Sequence, residues 1–392
     1  MVPTIKLSVI QVLGLAGFGI VLGGWLKRRL PFLDRVNIPT SIAGGLLYAI
    51  AVVAMRDRVA NFDFDMVLRD VLMIAFFTTV GMSASLRLLR LGGRMVGLML
   101  LVSVVGVFLQ NGVGVAVASA LGLHPLIGVL AGSVALTGGP ATALAFGPTF
   151  EGVGVAGGTT AGVTSAVFGI VAGGLIGGWI GGGLIRKHDL HVKAVKDQSS
   201  FHIEQSDVSS FLANVIALVV AMALGSLVSL QLQAWGLTLP AYIGAMICAA
   251  VIRNLDDATG WIQISQEKMD ELGDISLELF IVMALLTLRL WELINLAAPI
   301  FAILVAQIAL VYVMCRFLVF RVMGSDYPAA VMASGFCGFM LGTTANAMAC
   351  MGEVARKYGP APQAFFAVTI VGAFLIDFIN ALIINASVNL LK

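Results

Sequence analysis

The sequence predicts an all-α polytopic membrane protein made of two inverted five-span repeats, each with a re-entrant hairpin. Three observations predict it. Hydrophobic residues are 59% of the 392 and charged residues 11%, too little charge to cover a soluble chain of this length. Nearly uncharged runs of about 18 residues or more recur along the whole sequence, the length that crosses a bilayer as helix. The same interrupted apolar pattern occurs twice, once in each half.

The apolar runs place spans at 5–26, 38–55, 71–86, 96–121 and 153–185. A second set falls at 209–230, 239–252, 273–290, 296–320 and 363–388. The opening MVPTIKLSVIQVLGLAGFGIVLGGWLKRR reads as a first membrane helix rather than a cleaved leader. Gln110 and Asn111 interrupt the fourth span and suit either ion binding or interhelical hydrogen bonding. Two further apolar pieces, near 125–150 and 328–357, do not read as clean spans. In the first, LTGGPATALAFG (136–147), Gly138, Gly139 and Pro140 stand in a row between Thr137 and Thr142. In the second, MLGTTANAMACMG (340–352) has the same character 204 residues later.

Charge orients the chain. With the N-terminus outside, inner segments hold 17 Lys and Arg and outer segments hold 6, as the positive-inside rule requires. The polar stretch 186–208 reads as a cytoplasmic linker between an N-terminal repeat, 1–185, and a C-terminal repeat, 209–392. His188, His191 and His202 lie in it and read as solvated loop residues rather than a metal site. RDVLMIAFFTTVGMSASLRLL, with Asp70, pairs with GDISLELFIVMALLTLRLWEL, with Asp274. HPLIGVLAGSVALTGGPATALA pairs likewise with YPAAVMASGFCGFMLGTTANAMA. An odd span count per half makes the second half begin from the opposite face.

The interruptions point to transport. Irregular backbone at membrane depth persists only inside protein or beside a water-filled cavity. Glycine and proline break a helix there. The exposed helix N-termini attract anions, and the freed carbonyls suit Na⁺. Close packing of helices is the competing explanation for the glycines. It is the preferred one for 153–183, where small residues repeat; Thr159, Thr160, Thr164 and Ser165 remain candidates to line a path. Asp377 falls in mid-span with Asn380 one turn on, so it needs a partner, an ion or water. Asp274 and Glu278 lie near a span end and read as interfacial, and Arg289 reads as snorkelling. The four cysteines read as packing residues. No HExxH, GxSxG or P-loop lysine pattern supports an enzyme. The net charge of +2 gives no footprint for nucleic acid.

Six pieces carry a resemblance: NIPTSIAGGLL (37–47), RDVLMIAFFTTVGMSASLRLLRLGGRMVG (69–97), LAGSVALTGG (130–139), LTLRLWEL (286–293), GFCGFMLGTTANAMACM (335–351) and VGAFLIDFINALII (371–384). In these the chain resembles the bacterial sodium/glutamate symporter family. The resemblance implies Na⁺-coupled uptake of glutamate across the bacterial cytoplasmic membrane. It also implies a homodimer and an elevator movement of a re-entrant core against a dimeric scaffold. The family's first hairpin motif reads Gly-Gly-His-Gly-Thr. Gly138, Gly139 and Thr142 match it, while Pro140 and Ala141 replace the middle pair. In the second motif Gly342, Thr343 and Thr344 match, and Ala345 stands where proline is usual. Another small carboxylate or amino acid is therefore the alternative cargo, and an ion or anion channel is the alternative class. The expected substrate residues are Gly138, Gly139, Thr142, Thr343, Thr344 and Asn346. Thr137, Thr142, Asn346 and Asp377 are the expected Na⁺ residues, since hydroxyl and amide oxygens suit a hard cation.

Overall fold

Among the described residues, ten long helical stretches and two broken hairpins account for most of the structure, with one short pair of strands. The structure, a computed structural model, describes residues 2–35, 37–191, 211–234, 240–293 and 296–392. In the first half the helices are α1 (Val9–Arg29), α2 (Pro31–Arg35), α3 (Thr40–Met55), α4 (Val67–Met82), α5 (Leu86–Leu91) and α6 (Gly93–Ala120). The first hairpin follows: α7 (Pro125–Val129) runs into a π-helical turn, Leu130–Val134, and returns as α8 (Gly139–Gly152). Then α9 (Gly158–His188) closes the half. The second half repeats the order as α10 (Phe211–Ala234), α11 (Ala241–Thr259), α12 (Gln266–Leu286) and α13 (Ala297–Val313). A π-helical turn, Met314–Val319, joins α13 to α14 (Phe320–Val322). The second hairpin is α15 (Tyr327–Met340) and α16 (Thr344–Tyr358). Finally α17 (Pro362–Ile370) passes through a π-helical turn, Val371–Leu375, into α18 (Ile376–Leu391).

Local chemistry explains the starts. Pro125, Pro140, Pro328 and Pro362 each stand in the first turn of their helix, where the missing N–H has no intrahelical partner to lose. Ser85, Ser265 and Asp326 accept hydrogen bonds from backbone N–H groups three residues on, capping α5, α12 and α15. Among the described residues five helices are long and apolar enough to cross a membrane: α1, α6, α9, α10 and α13 continued through α14. The chain is a multi-pass membrane protein. The other spans expected from the sequence are present as helices but are shorter or carry charge. Helices α3 and α4 have 16 residues each, and α11 carries Arg253, Asp256 and Asp257.

Two details differ from expectation. Residues 4–7 do not belong to the first helix. Thr4–Leu7 is strand β1, paired in parallel with β2, Asn61–Phe64. Both tetrapeptides alternate polar and apolar side chains, the period of a strand, and that short signal was hidden beside the apolar run. At the other end of the half, α9 continues through Arg186 and Lys187 to His188, so the polar linker begins after the helix. Most of it, including His202, lies outside the described residues.

The helices sort into two groups. One consists of α1, α3 and α4 packed with α10, α11 and α12. The other holds both hairpins between α6, α9, α13, α17 and α18. In the second group α9 lies against α15 and α16, and its glycines set the distance. A β-carbon on Gly169 would sit 2.4 Å from Leu341 O, and one on Gly173 2.8 Å from Asn346 Nδ2. On Gly177 it would sit 2.6 Å from Cys350 Sγ, and on Gly181 2.9 Å from Val354 Cγ2. The four-residue spacing puts these glycines on one face of α9. The repeated small residues of 153–183 are thus a packing seam against the second hairpin. Thr160 and Ser165 spend their hydroxyls on backbone oxygens, of Arg289 and Ala161. The cysteines are free.

Gly169→Ala should lower stability by about 1–3 kcal/mol, because the methyl meets a backbone oxygen that cannot rotate away. Gly183→Ala, with nothing within 4 Å of the added carbon, should be neutral or slightly stabilising. Thermal unfolding of both variants in nanodiscs checks the contrast; equal melting temperatures would contradict the seam.

Candidate functional site

The site is built where the two hairpins meet. In the first, Gly132 leaves the helical region (φ −97°, ψ −120°) and Gly139 turns left-handed (φ +69°). The Gly138 N–H donates back to Ser133 O at 2.9 Å, closing the turn. In the second, Thr343 caps α16: its Oγ1 accepts from Asn346 N at 3.4 Å. The tips touch. Thr137 Oγ1 lies 3.5 Å from Met340 Sδ and donates to Gln110 Oε1 at 2.6 Å. A β-carbon on Gly139 would lie 3.4 Å from Gly342 O and 3.5 Å from Thr343 Cγ2. Glycine at 139 therefore serves the positive φ, and a side chain there would be in ordinary contact with the other tip.

The tips form one end of a cavity of about 640 Å³. Three helix N-termini face it: α3 through Pro39–Ser41, α8 through Gly138–Ala141, and α16 through Thr343–Ala345. Each presents unpaired N–H groups and positive partial charge. Five carboxylates also line it: Asp34 from α2, Asp270, Asp274 and Glu278 from α12, and Asp377 from α18. Glu278 Oε2 accepts from Ser41 N at 3.1 Å, so one carboxylate already caps α3. At the far end Lys27 Nζ is 2.8 Å from Asp34 Oδ1, and Gln266 Nε2 donates to Ser83 Oγ at 2.6 Å and Asp270 Oδ1 at 2.8 Å. Thr344 Oγ1 donates to Gly372 O at 2.6 Å, using a carbonyl in the π-helical turn just before Asp377. The cavity thus offers donors to carboxylate groups and acceptors to cations within one space.

Thr137, Gly138, Thr343, Thr344 and Asp377 line the cavity. Gly139, Thr142 and Asn346 do not. Thr142 is buried beneath Gly138, where an added β-carbon would meet its Cβ and Oγ1 at 2.6 Å. Asn346 is fully buried and its side chain is engaged: Nδ2 donates to Ile170 O at 3.1 Å, and Oδ1 accepts from Nδ2 of the cavity-lining Asn37 at 3.1 Å. Asn380, one turn on from Asp377 in α18, donates to Ser133 O at 3.0 Å. Asp274 and Glu278 line the cavity, which replaces their interfacial assignment. The signal was present: Asp270, Asp274 and Glu278 recur at four-residue spacing, one face of a helix, before an apolar run. Asn37 and Ser41 had no such signal. Among the described residues no three His, Cys, Asp or Glu side chains converge to hold a metal. His188 lies over Phe320 at 5.1 Å, and His191 faces Asp189 at 3.6 Å.

Comparison with known proteins follows this geometry. A model of the sodium/glutamate symporter family matches residues 5–360, an interval that contains both hairpins. The chain is 39% identical over 389 residues to a protein of Escherichia coli K12 named sodium/glutamate symporter, covering 97% of each. It is 34% identical over 391 residues to a Haemophilus influenzae protein of the same name, again covering 97% of each. With likeness of that extent running through both hairpins and the helices that enclose them, the chain belongs to the sodium/glutamate symporter family.

Proposed function

We propose that this protein is a secondary active transporter, not an enzyme, that carries glutamate with Na⁺ across the bacterial cytoplasmic membrane. The observation that carries the reading is the cavity at the hairpin tips, with helix N-termini and carboxylates facing one another. A glutamate places its two carboxylates at the N-termini of α8 and α16. Its ammonium lies toward the α12 carboxylates. Thr137, Thr343 and Thr344 hydroxyls position it, and Asp377 balances a co-bound Na⁺. The relatives' printed name agrees with this cargo. One observation favours a second reading. Pro140 leaves α8 with one N–H fewer to offer, which suits another small carboxylate or amino acid with fewer acceptor groups.

Two inverted repeats, 1–185 and 209–392, joined through 186–208, are part of the proposal. The recurrence of elements after α9 supports it. So do contacts at the hairpin bases. The first hairpin's base meets Arg289 and Glu292: Thr160 Oγ1 donates to Arg289 O at 3.2 Å, and a β-carbon on Gly157 would lie 3.1 Å from Glu292 Cβ. The second hairpin's base meets the inner end of α9: Arg186 Nη1 donates to Tyr358 Oη at 3.0 Å. Charge assigns those ends to opposite faces. The grouping of helices supports an elevator movement, with the hairpin group sliding along the α1–α3–α4–α10–α11–α12 group. The latter would provide the homodimer contact. The cavity reaches Lys27, Asp34 and Ser83 at the positively charged, cytoplasmic end, so this state is open inward.

Purified protein should be stabilised thermally by glutamate in Na⁺ and much less in K⁺, because only a ligand of the native state stabilises it. In proteoliposomes it should exchange labelled glutamate against an internal unlabelled pool. Stabilisation by a different acid alone selects the second reading, and uptake without counterflow selects a channel.

Asp377→Asn should weaken Na⁺-dependent glutamate binding tenfold or more while the protein keeps its melting temperature. Unchanged half-saturation for both ligands would remove Asp377 from the site.

In a background without native cysteines, Glu151→Cys should react with an impermeant maleimide only from outside, and Lys357→Cys only from inside. Reaction of both from one face would overturn the inverted arrangement.

A further inference from the structure

Behind the first hairpin, away from the cavity, five polar side chains are buried in an otherwise apolar region. Gln110 and Asn111 come from α6, Ser133 from the π-helical turn, Gln307 from α13 and Asn380 from α18. Gln110, Ser133 and Gln307 are fully buried, Asn380 is 1% exposed and Asn111 7%. Each amide is oriented by a backbone partner. Gln307 Nε2 donates to Gln110 O at 2.7 Å, Asn380 Nδ2 donates to Ser133 O at 3.0 Å, and Asn111 Oδ1 accepts from Ser133 N at 3.2 Å. Those bonds decide which end of each amide is left over. Left without a partner are three acceptors, Gln307 Oε1, Asn380 Oδ1 and Ser133 Oγ, and one donor, Asn111 Nδ2. Three oxygens at one kink, in a protein whose buried polar atoms are otherwise mostly satisfied, need an occupant.

We propose that Na⁺ binds at this kink, held by Ser133 Oγ, Gln307 Oε1 and Asn380 Oδ1. The chemistry of the donor set fits: neutral oxygens suit a hard, singly charged cation and would not desolvate a divalent one. The helix geometry fits as well. The first arm of the hairpin ends here at Val134, and a helix C-terminus carries negative partial charge. Gly132 lies among these groups: an added β-carbon would lie 3.1 Å from Gln110 O, 3.3 Å from Gln307 Nε2 and 3.4 Å from Asn111 Oδ1. The site also reaches the substrate. Gln110, whose carbonyl anchors Gln307, accepts from Thr137 through Oε1, and Thr137 lines the cavity. An ion behind the kink therefore orders the tip that presents the α8 N-terminus, and each ligand raises the other's affinity by one factor. The inference rests on the Na⁺-coupled reading above and adds a cation position outside the cavity.

The test is direct binding of radioactive Na⁺ to the full-length protein in nanodiscs, without glutamate, at ionic strength held constant with choline. Ser133→Ala, Gln307→Met and Asn380→Leu are compared with the parent chain. The first deletes only an unpartnered hydroxyl, so it keeps the fold. Each should raise the Na⁺ half-saturation at least tenfold. Glutamate half-saturation should rise by the same factor at low Na⁺ and recover to within twofold at saturating Na⁺. If the parent binds Na⁺ and all three variants bind it equally well, the kink holds water only and this site is wrong, while the transport reading stands. If the parent binds no Na⁺, both fall.

Discussion

A peptide group cannot remain unpaired in an apolar interior, and the structure depends on how this chain meets that constraint while breaking two helices there. An unsatisfied buried backbone group costs several kcal/mol in apolar surroundings. The breaks therefore have to be enclosed. The first tip closes on itself through Gly138 N and Ser133 O and is tied to α6 through Gln110. The second is capped by Thr343 and tied to the π-helical turn of the last span through Thr344. The tips also touch each other: a β-carbon on Gly139 would be in van der Waals contact with Gly342 O and Thr343 Cγ2. The same groups that must be enclosed are the ones that remain available to a ligand in the cavity.

Enclosure extends outward through packing. The glycine face of α9 brings its backbone against Leu341 and the start of α16, so the second hairpin is held along its length rather than at its ends. In a bilayer there is little hydrophobic gain from bringing two apolar helices together, and close backbone approach supplies the dispersion contacts instead. This makes the second helix group a firm body around two irregular loops.

Much of the fold was legible because membrane spans are long, apolar and punctuated by charge. The two broken hairpins stood out through Gly-Gly-Pro and Gly-Thr-Thr within apolar runs. The lining of the candidate cavity was legible in part. Thr137, Gly138, Thr343, Thr344 and Asp377 could be picked out because polar or breaking residues are rare in such segments. Thr142 and Asn346 have equally good chemistry, but side-chain direction decides their place, and one residue of rotation on a helix is 100°. Asn346 turned toward the α9 seam and Thr142 under Gly138. The α12 carboxylates were misplaced for another reason. Charge near a span end normally means the water interface, and the sequence has no way to show that a cavity reaches down to them. The strand pair β1–β2 escaped because four residues of alternation carry little weight beside a helix of 21.

Asn37 sits before α3 in the first helix group with a left-handed backbone (φ 56°), and its side chain reaches across to Asn346 in the second group. One neutral hydrogen bond contributes about 1 kcal/mol net, which corresponds to only about a fivefold bias in population. Alone it would not hold the two groups together; packing such as Phe146 of α8 against Tyr242 of α11, ring centroids 5.3 Å apart, carries that contact.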